Sequence, residues 1–192
     1  MKLCIVVPHY NHEKAFELFL PTLSSLNIPC IIVDDGSDEE SLSTLEHLLA
    51  ESSLDSYFYA HARNRGKGAT VITAATHARA LGFSHMIQID ADGQHDVDDV
   101  KKFAALSQEF PEAIVSGHPQ FDESAPKARL YGRKVTDLMV AVETLSLEIK
   151  DSLCGFRLYP LTQFEQICDQ YHIGRRMDFT AISVSKSIRL PI

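Results

Sequence analysis

Short, continuous apolar runs punctuate the chain: Leu3–Val7, Cys30–Val33, Tyr57–His61, Met86–Ile89 and Ala113–Ser116. They do not alternate apolar with polar, as expected of strands covered on both faces. The intervening stretches 13–26, 40–52, 67–81 and 97–109 carry helix-compatible patterns. Asp96 is placed to cap the last of them, with Asp98 and Asp99 favourable in its first turn. Strand, helix, strand, helix predicts an α/β fold, a mainly parallel sheet flanked by helices and joined by right-handed crossovers. Residues 125–149 are predicted helical. A compact stretch, Cys154–Pro160, precedes one more helix, and a short tail ends at Arg189–Ile192.

In such sheets ligands sit beyond the carboxyl ends of the strands. The loops there are Pro8–His12, Asp34–Asp38, Ala62–Lys67 and Asp90–His95. They are also the most polar, turn-rich stretches of the first hundred residues. That coincidence predicts a single site.

The most informative loop follows Ile87-Gln88-Ile89. Asp90 and Asp92 stand about 7 Å apart along an extended backbone and point the same way. Two anions there repel unless a cation lies between them, and hard oxygen ligands suit Mg²⁺ or Mn²⁺, which would hold a diphosphate. Gly93 lets the chain turn, and Gln94 and His95 are candidate extra ligands. Asp-x-Asp alone is also common in solvated acidic loops. Asp34-Asp35-Gly36-Ser37 repeats the pattern: a carboxylate at a strand end accepts from a base N–H or a ribose hydroxyl, or it simply builds a capped turn.

Asn64-Arg65-Gly66-Lys67-Gly68 opens a helix whose N-terminus, with Arg65 and Lys67, favours an anion. Its spacing is not that of a Walker A loop, and by itself a plain turn and cap explains it better. In Pro8-His9-Tyr10-Asn11, Tyr10 is suited to stack on a base or on the protein's own surface, and Asn11 to fix the loop by side-chain bonds. His9, His12 and His61 lack metal-like spacing and read as ordinary loop or strand-end histidines.

Composition narrows the picture. The 192 residues suit one domain, and 26 acidic against 18 basic residues give a net charge of −8. That balance disfavours a general nucleic-acid binder but suits a site whose positive charge is supplied locally by a metal. Cys4, Cys30, Cys154 and Cys168 are widely spaced, which points to reduced thiols rather than a disulfide framework or zinc site. Pro8 and His9 end the first apolar run too soon for a signal peptide, and no run approaches the roughly 20 apolar residues of a membrane span. Membrane contact is therefore expected to be peripheral.

Pro-x-Tyr-Asn at 8–11, Asp-Asp-Gly-Ser at 34–37, Asn-Arg-Gly-Lys-Gly at 64–68 and Asp-Ala-Asp-Gly-Gln-His at 90–95 occur in that order. Together they resemble the family 2 glycosyltransferases of GT-A fold, a Rossmann-like architecture, and especially the branch like dolichyl-phosphate mannose synthase. The resemblance covers residues 2 to about 178. It implies one domain over 1–192, with a nucleotide-sugar and metal-binding half at 1–118 and an acceptor-side half at 119–192. Pro8, Tyr10, Asn11, Asp34 and Asp35 would line the nucleoside pocket, with Lys67 and Ala91 on the nucleotide-sugar side. Asp90 and Asp92 would bridge Mn²⁺ or Mg²⁺ to the donor's diphosphate, with Gln94 beside them.

The family's later Asp and Gly-Phe-Arg match Asp151 and Gly155-Phe156-Arg157. Asp151 becomes the candidate base for a hydroxyl acceptor, and Arg157 the candidate holder of an acceptor phosphate. Arg129 and Arg133, one helical turn apart, fit the same task, or form a solvated basic face. The implied reaction is metal-dependent, inverting transfer from a UDP- or GDP-linked sugar to a lipid-phosphate or hydroxyl acceptor, in the cytoplasm at the inner face of a membrane. After Arg175-Arg176-Met177-Asp178 the chain departs from the family pattern, as a C-terminally shortened member would, and Asp178 retains part of an acceptor-side role. The alternative is a catalytically silent nucleotide- and metal-binding domain. A nucleotidyltransferase would show a glycine-rich basic loop after the first strand, where this chain has Pro8–Asn11.

Overall fold

The structure, a computed structural model, describes residues 1–91, 98–118, 155–170 and 187–191. Its elements are β1 (Leu3–His9), α1 (Glu13–Ser25), β2 (Cys30–Asp34), α2 (Glu39–Glu51), β3 (Ser56–Ala60) and α3 (Lys67–Ala80). There follow β4 (His85–Gln88), α4 (Asp98–Glu109), β5 (Ile114–His118), β6 (Arg157–Pro160), α5 (Leu161–Gln170) and β7 (Ser187–Pro191). The expected helices over 13–26, 40–52, 67–81 and 97–109 and the five expected strands are present, with ends shifted by a residue or two. The predicted helix at 125–149 and the Asp96 cap lie outside the described residues.

The strands form one seven-stranded sheet in the order β3-β2-β1-β4-β6-β5-β7. Its neighbouring strands pair in parallel except where β6 runs antiparallel to β4 and β5. Two elements differ from the sequence reading. The compact stretch before the last helix contains the strand β6, and the supposed tail contains β7, which pairs with β5 from Ile114↔Ser187 to His118↔Pro191. Neither segment has a periodic pattern long enough to announce a strand; neighbouring strands supply it through their backbone edges.

Continuous apolar strands work here because helices cover both faces. Ile5, Val7, Ile32 and Ile87 meet Phe16 and Phe19 of α1, Leu45 of α2 and Val100 and Phe103 of α4. Val6, Ile31 and Met86 meet Val71, Ala74 and Ala78 of α3 and Phe164 of α5. The alanines let α3 lie close to the sheet. β3 is the exception to the expected two-sided cover: it is the edge strand, and its residues are half-buried or exposed.

Pro8 extends β1 past the expected end without disturbing the ladder. His9 O accepts from Asp35 N at 2.8 Å, so His9 faces β2, and by alternation Pro8 faces β4. β4 has already ended at Gln88, and the N–H that proline lacks has no strand to meet. Cys4 and Cys30 are buried on opposite faces of the sheet, in separate clusters, so they cannot bridge. Burial pushes the Cys4 thiol up to about 12 and the Cys30 thiol higher still. Cys168 is a free thiol, and Cys154 lies outside the described residues. Among the described residues, no helix is long and apolar enough to cross a membrane.

Candidate active site

The carboxyl ends of β1, β2 and β4 open onto a cleft of about 330 Å³. Its walls include Pro8, His9 and Tyr10 after β1, Asp35 after β2, Asn64, Gly66, Lys67 and Thr70 at the start of α3, and Asp90 and Ala91 after β4. The loops singled out by their polarity thus converge.

Asp34 and Asp35 part company at the end of β2. Asp34 points into the protein and is fully buried. Its Oδ2 accepts His9 Nδ1–H at 2.8 Å and the Ser37 hydroxyl at 2.5 Å, while Oδ1 accepts the backbone N–H groups of Gly36 at 3.0 Å and Ser37 at 2.8 Å. Burial alone would raise its pKa, but the hydrogen bonds from His9 and Ser37 outweigh it and hold the carboxyl below its ordinary value. Gly36 sits at φ +76°, and a Cβ there would run into the backbone of Arg63 and Asn64, so the tight turn packs directly on the next loop. Asn11, itself at φ 48°, ties the first two loops together: its N–H donates to Ser37 Oγ at 2.9 Å, and its Oδ1 accepts Asp38 N–H at 3.0 Å.

Asp35 turns to the cleft. Its Oδ1 accepts from His61 Nδ1 at 2.8 Å and Arg65 N at 2.9 Å, and its Oδ2 from Gly66 N at 2.7 Å. One carboxylate therefore shapes the entry to α3. Tyr10, 45% exposed, stands at the mouth as an available aromatic face.

Across the cleft, Lys67 Nζ lies 2.5 Å from Asp90 Oδ1, with side chains about one-third and one-quarter exposed. The lysine is an internal cation at the place where the sequence predicted an external one. Gly155 completes this corner. The antiparallel register pairs Gln88 with Arg157, and two further steps bring residue 155 level with Asp90. A Cβ on Gly155 would strike the Asp90 carboxylate.

Arg157 lies deeper, 1% exposed, opposite Gln88 on β4 and Ser116 on β5, and is not among the residues lining the cleft. Asn11 and Asp34 likewise build the loops rather than the cleft wall. Asp92, Gln94, Arg129, Arg133, Asp151 and Asp178 lie outside the described residues. Among the described residues, no three His, Cys, Asp or Glu side chains gather as a metal cluster. Of the two predicted metal ligands Asp90 alone lies among the described residues, and its carboxylate is paired with Lys67.

The sequence reading took His9 and His61 for ordinary loop or strand-end histidines and gave Asn64 no role of its own; the structure puts His9 and Asn64 on the cleft wall and His61 against Asp35. For His61 the signal was present in the register: β3 pairs Ala60 with Asp34, which sets the next residue beside Asp35.

The model of the glycosyl transferase family 2 matches residues 4–181. The chain belongs to this family. A dolichyl-phosphate beta-glucosyltransferase of Trichomonas vaginalis is 28% identical over 90% of this family 2 chain and 57% of its own length. A UDP-N-acetylglucosamine–dolichyl-phosphate N-acetylglucosaminyltransferase of Methanococcus voltae is 26% identical over 89% of the chain and 74% of its own length. The chain thus spans little more than half of the first of these relatives. Among solved structures, residues 1–349 of Staphylococcus aureus TarS align over 100% of the chain and 58% of their own, with TM-score 0.63 and 17% identity. Mannosyl-3-phosphoglycerate synthase from Rubrobacter xylanophilus aligns over 100% and 65%, with TM-score 0.63 and 14% identity. The α/β sheet is of the GT-A type, as expected from the motifs.

Proposed function

We propose that the chain binds a nucleotide-sugar in the cleft at the ends of β1, β2 and β4 and transfers the sugar, with inversion, to the phosphate of a long-chain polyprenol at a membrane surface. The observation that carries this reading is the convergence on one cleft of Tyr10, Asp35, Lys67 and Asp90 in a family 2 chain. The named acceptor of two relatives, dolichyl phosphate, supports the acceptor class. The TarS structure solved with UDP-GlcNAc supports a nucleotide-sugar donor for the fold.

In this reading Tyr10 offers its face to the base and Asp35 accepts a base N–H or ribose hydroxyl. Lys67 and the N-terminus of α3 receive the diphosphate. Asp90 and Asp92 hold Mn²⁺ or Mg²⁺, which when bound lends Lewis-acid stabilisation to the departing diphosphate. An acceptor phosphate oxygen, already anionic, attacks the anomeric carbon from the face opposite the leaving group. The new C–O bond forms as the bond to the nucleoside diphosphate breaks, and no protein base is needed to remove a proton. For a hydroxyl acceptor, Asp151 is the proposed base. Arg157, Arg129, Arg133 and Asp178 belong to the acceptor side by resemblance, and Gln94 to the metal side. The sugar is left open by the relatives, whose names carry glucose and N-acetylglucosamine.

The test is titration of UDP and of GDP into the chain, each with and without Mn²⁺, followed by assay of UDP-glucose, UDP-N-acetylglucosamine and GDP-mannose against polyprenyl phosphate in detergent. Metal-dependent binding of one nucleotide and a glycolipid product are expected. Absence of binding to both nucleotides would sink the donor-site reading; binding without product would leave a nucleotide-binding domain.

A further inference from the structure

We infer that His61 is a positioning residue for the donor's base: it holds Asp35 with one acceptor direction facing the cleft, so that the cleft selects a base edge that donates an N–H. The inference rests on the donor-site reading above and extends it to a residue that touches no ligand.

His61 continues the ladder of β3, its backbone N–H donating to Asp34 O at 2.9 Å. Its ring spans from the sheet to α3. Nδ1 lies 2.8 Å from Asp35 Oδ1, and Nε2 lies 2.9 Å from Thr73 Oγ1. An ionised carboxylate only accepts, so the shared proton belongs to Nδ1. The two side chains are 6% and 4% exposed, which keeps competing water away from the contact. A rigid ring held at both ends restrains the carboxylate about its own side-chain torsion, as a single bond from a mobile donor would not.

A carboxylate has about four acceptor directions. Three are taken: His61 and Arg65 N on Oδ1, and Gly66 N on Oδ2. The fourth, on Oδ2, belongs to a residue that lines the cleft beside Tyr10. An acceptor fixed in a largely dry wall rewards an N–H and penalises a lone pair or a methyl group at the same place, because a buried polar group left unpaired is costly. The imide N–H of uracil and the amide N–H of guanine fit; the ring nitrogens of cytosine and adenine that occupy the corresponding edge do not. Without His61, Oδ1 loses a donor, the carboxylate is held only by the backbone N–H groups of Arg65 and Gly66, and the edge is read less sharply.

The experiment is calorimetric titration, with Mn²⁺ present, of UDP against N3-methyl-UDP and of GDP against N1-methyl-GDP. It uses the wild-type chain, His61→Leu, His61→Asn and His61→Gln, each first shown to be folded by circular dichroism. The wild type is expected to prefer one unmethylated nucleotide by at least about tenfold. His61→Leu is expected to weaken that nucleotide while leaving its methylated analogue little changed, so that the ratio falls to within about threefold. Asparagine, whose amide N–H falls near the Nδ1 position, should restore much of the ratio, and glutamine should not.

Should the leucine variant fail to fold, the asparagine–glutamine contrast decides alone. An unchanged ratio in His61→Leu, equal ratios in the asparagine and glutamine variants, or a wild type indifferent to methylation would overturn the inference. A wild type that binds neither nucleotide would instead overturn the donor-site reading.

Discussion

At the scale of single residues, the site is governed by what stands against each carboxylate. Lys67 pairs with Asp90. A partly exposed ion pair of this kind is worth about 1 kcal/mol or less, a modest barrier to exchange. Lys67→Met should therefore bind Mn²⁺ alone several-fold more tightly, as read by the loss of free Mn²⁺ signal in electron paramagnetic resonance. The same variant should bind nucleotide with Mn²⁺ more weakly, since the diphosphate loses a cation. Tighter nucleotide binding would show that Lys67 serves only to block the site.

Gly155→Ala tests the same corner from the other side. Its Cβ would meet the mobile end of Asp90 rather than backbone. We expect metal-dependent nucleotide binding to fall by at least about tenfold with little change in melting temperature. An unchanged affinity would mean that Asp90 does not engage the ligand.

The place of Asp90 on the cleft wall was legible in the sequence because it follows an apolar strand, beyond whose carboxyl end ligand clefts lie in such sheets. Lys67 was visible as a cation, but its pairing with Asp90 was not, because no local pattern records a contact between residues 67 and 90. The division of labour between Asp34 and Asp35 was also hidden. Strand alternation sends the two side chains opposite ways, yet their sequence context is nearly the same.

At the scale of elements, the turn from β2 to α2 carries the most constraint. Asp34 satisfies Gly36, Ser37 and His9 together, and Asp38 caps α2 by accepting Ser41 N–H at 2.9 Å. Because the folded carboxyl of Asp34 is held below its ordinary value of 3.8, its stabilising contribution is fully present above that value. It is lost as pH falls further, through the folded value. Asp34→Asn should therefore flatten the acid limb of stability measured by urea titration below about pH 4 and cost stability at pH 7. An acid limb identical to wild type would remove Asp34 from that linkage. Gly36→Ala combines a left-handed backbone with a clash against backbone and should cost at least about 2 kcal/mol in the same titration.

The helices and the strands β1 to β5 were readable because most of them bury an apolar face of adequate length; β7, though parallel to β5, was not. β6, four residues long, was not readable either, and its direction was still less so. Nothing in Arg157–Pro160 states that the strand runs against its neighbours; that follows from where the chain re-enters the sheet.

At the scale of the whole molecule, the cleft lies where β1, β2 and β4 end, while β7 closes the far edge beyond β5. Stability and ligand binding should therefore separate. Deleting residues 187–192 should lower the melting temperature while leaving nucleotide affinity of the folded protein within about threefold, as read by calorimetry below the transition. A parallel loss of both would show that the β5–β7 edge supports the cleft directly.

The reversed strand β6 has a consequence for how the protein is made. Because it runs backwards, its beginning, and not its end, meets the loop of Asp90, so Gly155 reaches Asp90 only after the intervening chain has emerged. During synthesis the first four strands can pair as soon as they leave the ribosome, but the corner around Asp90 stays unfinished until residue 155 arrives. A nascent chain halted before that point would carry Tyr10, Asp35, Lys67 and Asp90 but not the glycine that packs on the Asp90 carboxylate. The packing around Asp90 would therefore be completed late, at a time set by translation of residue 155 rather than by the order of the loops that compose the cleft.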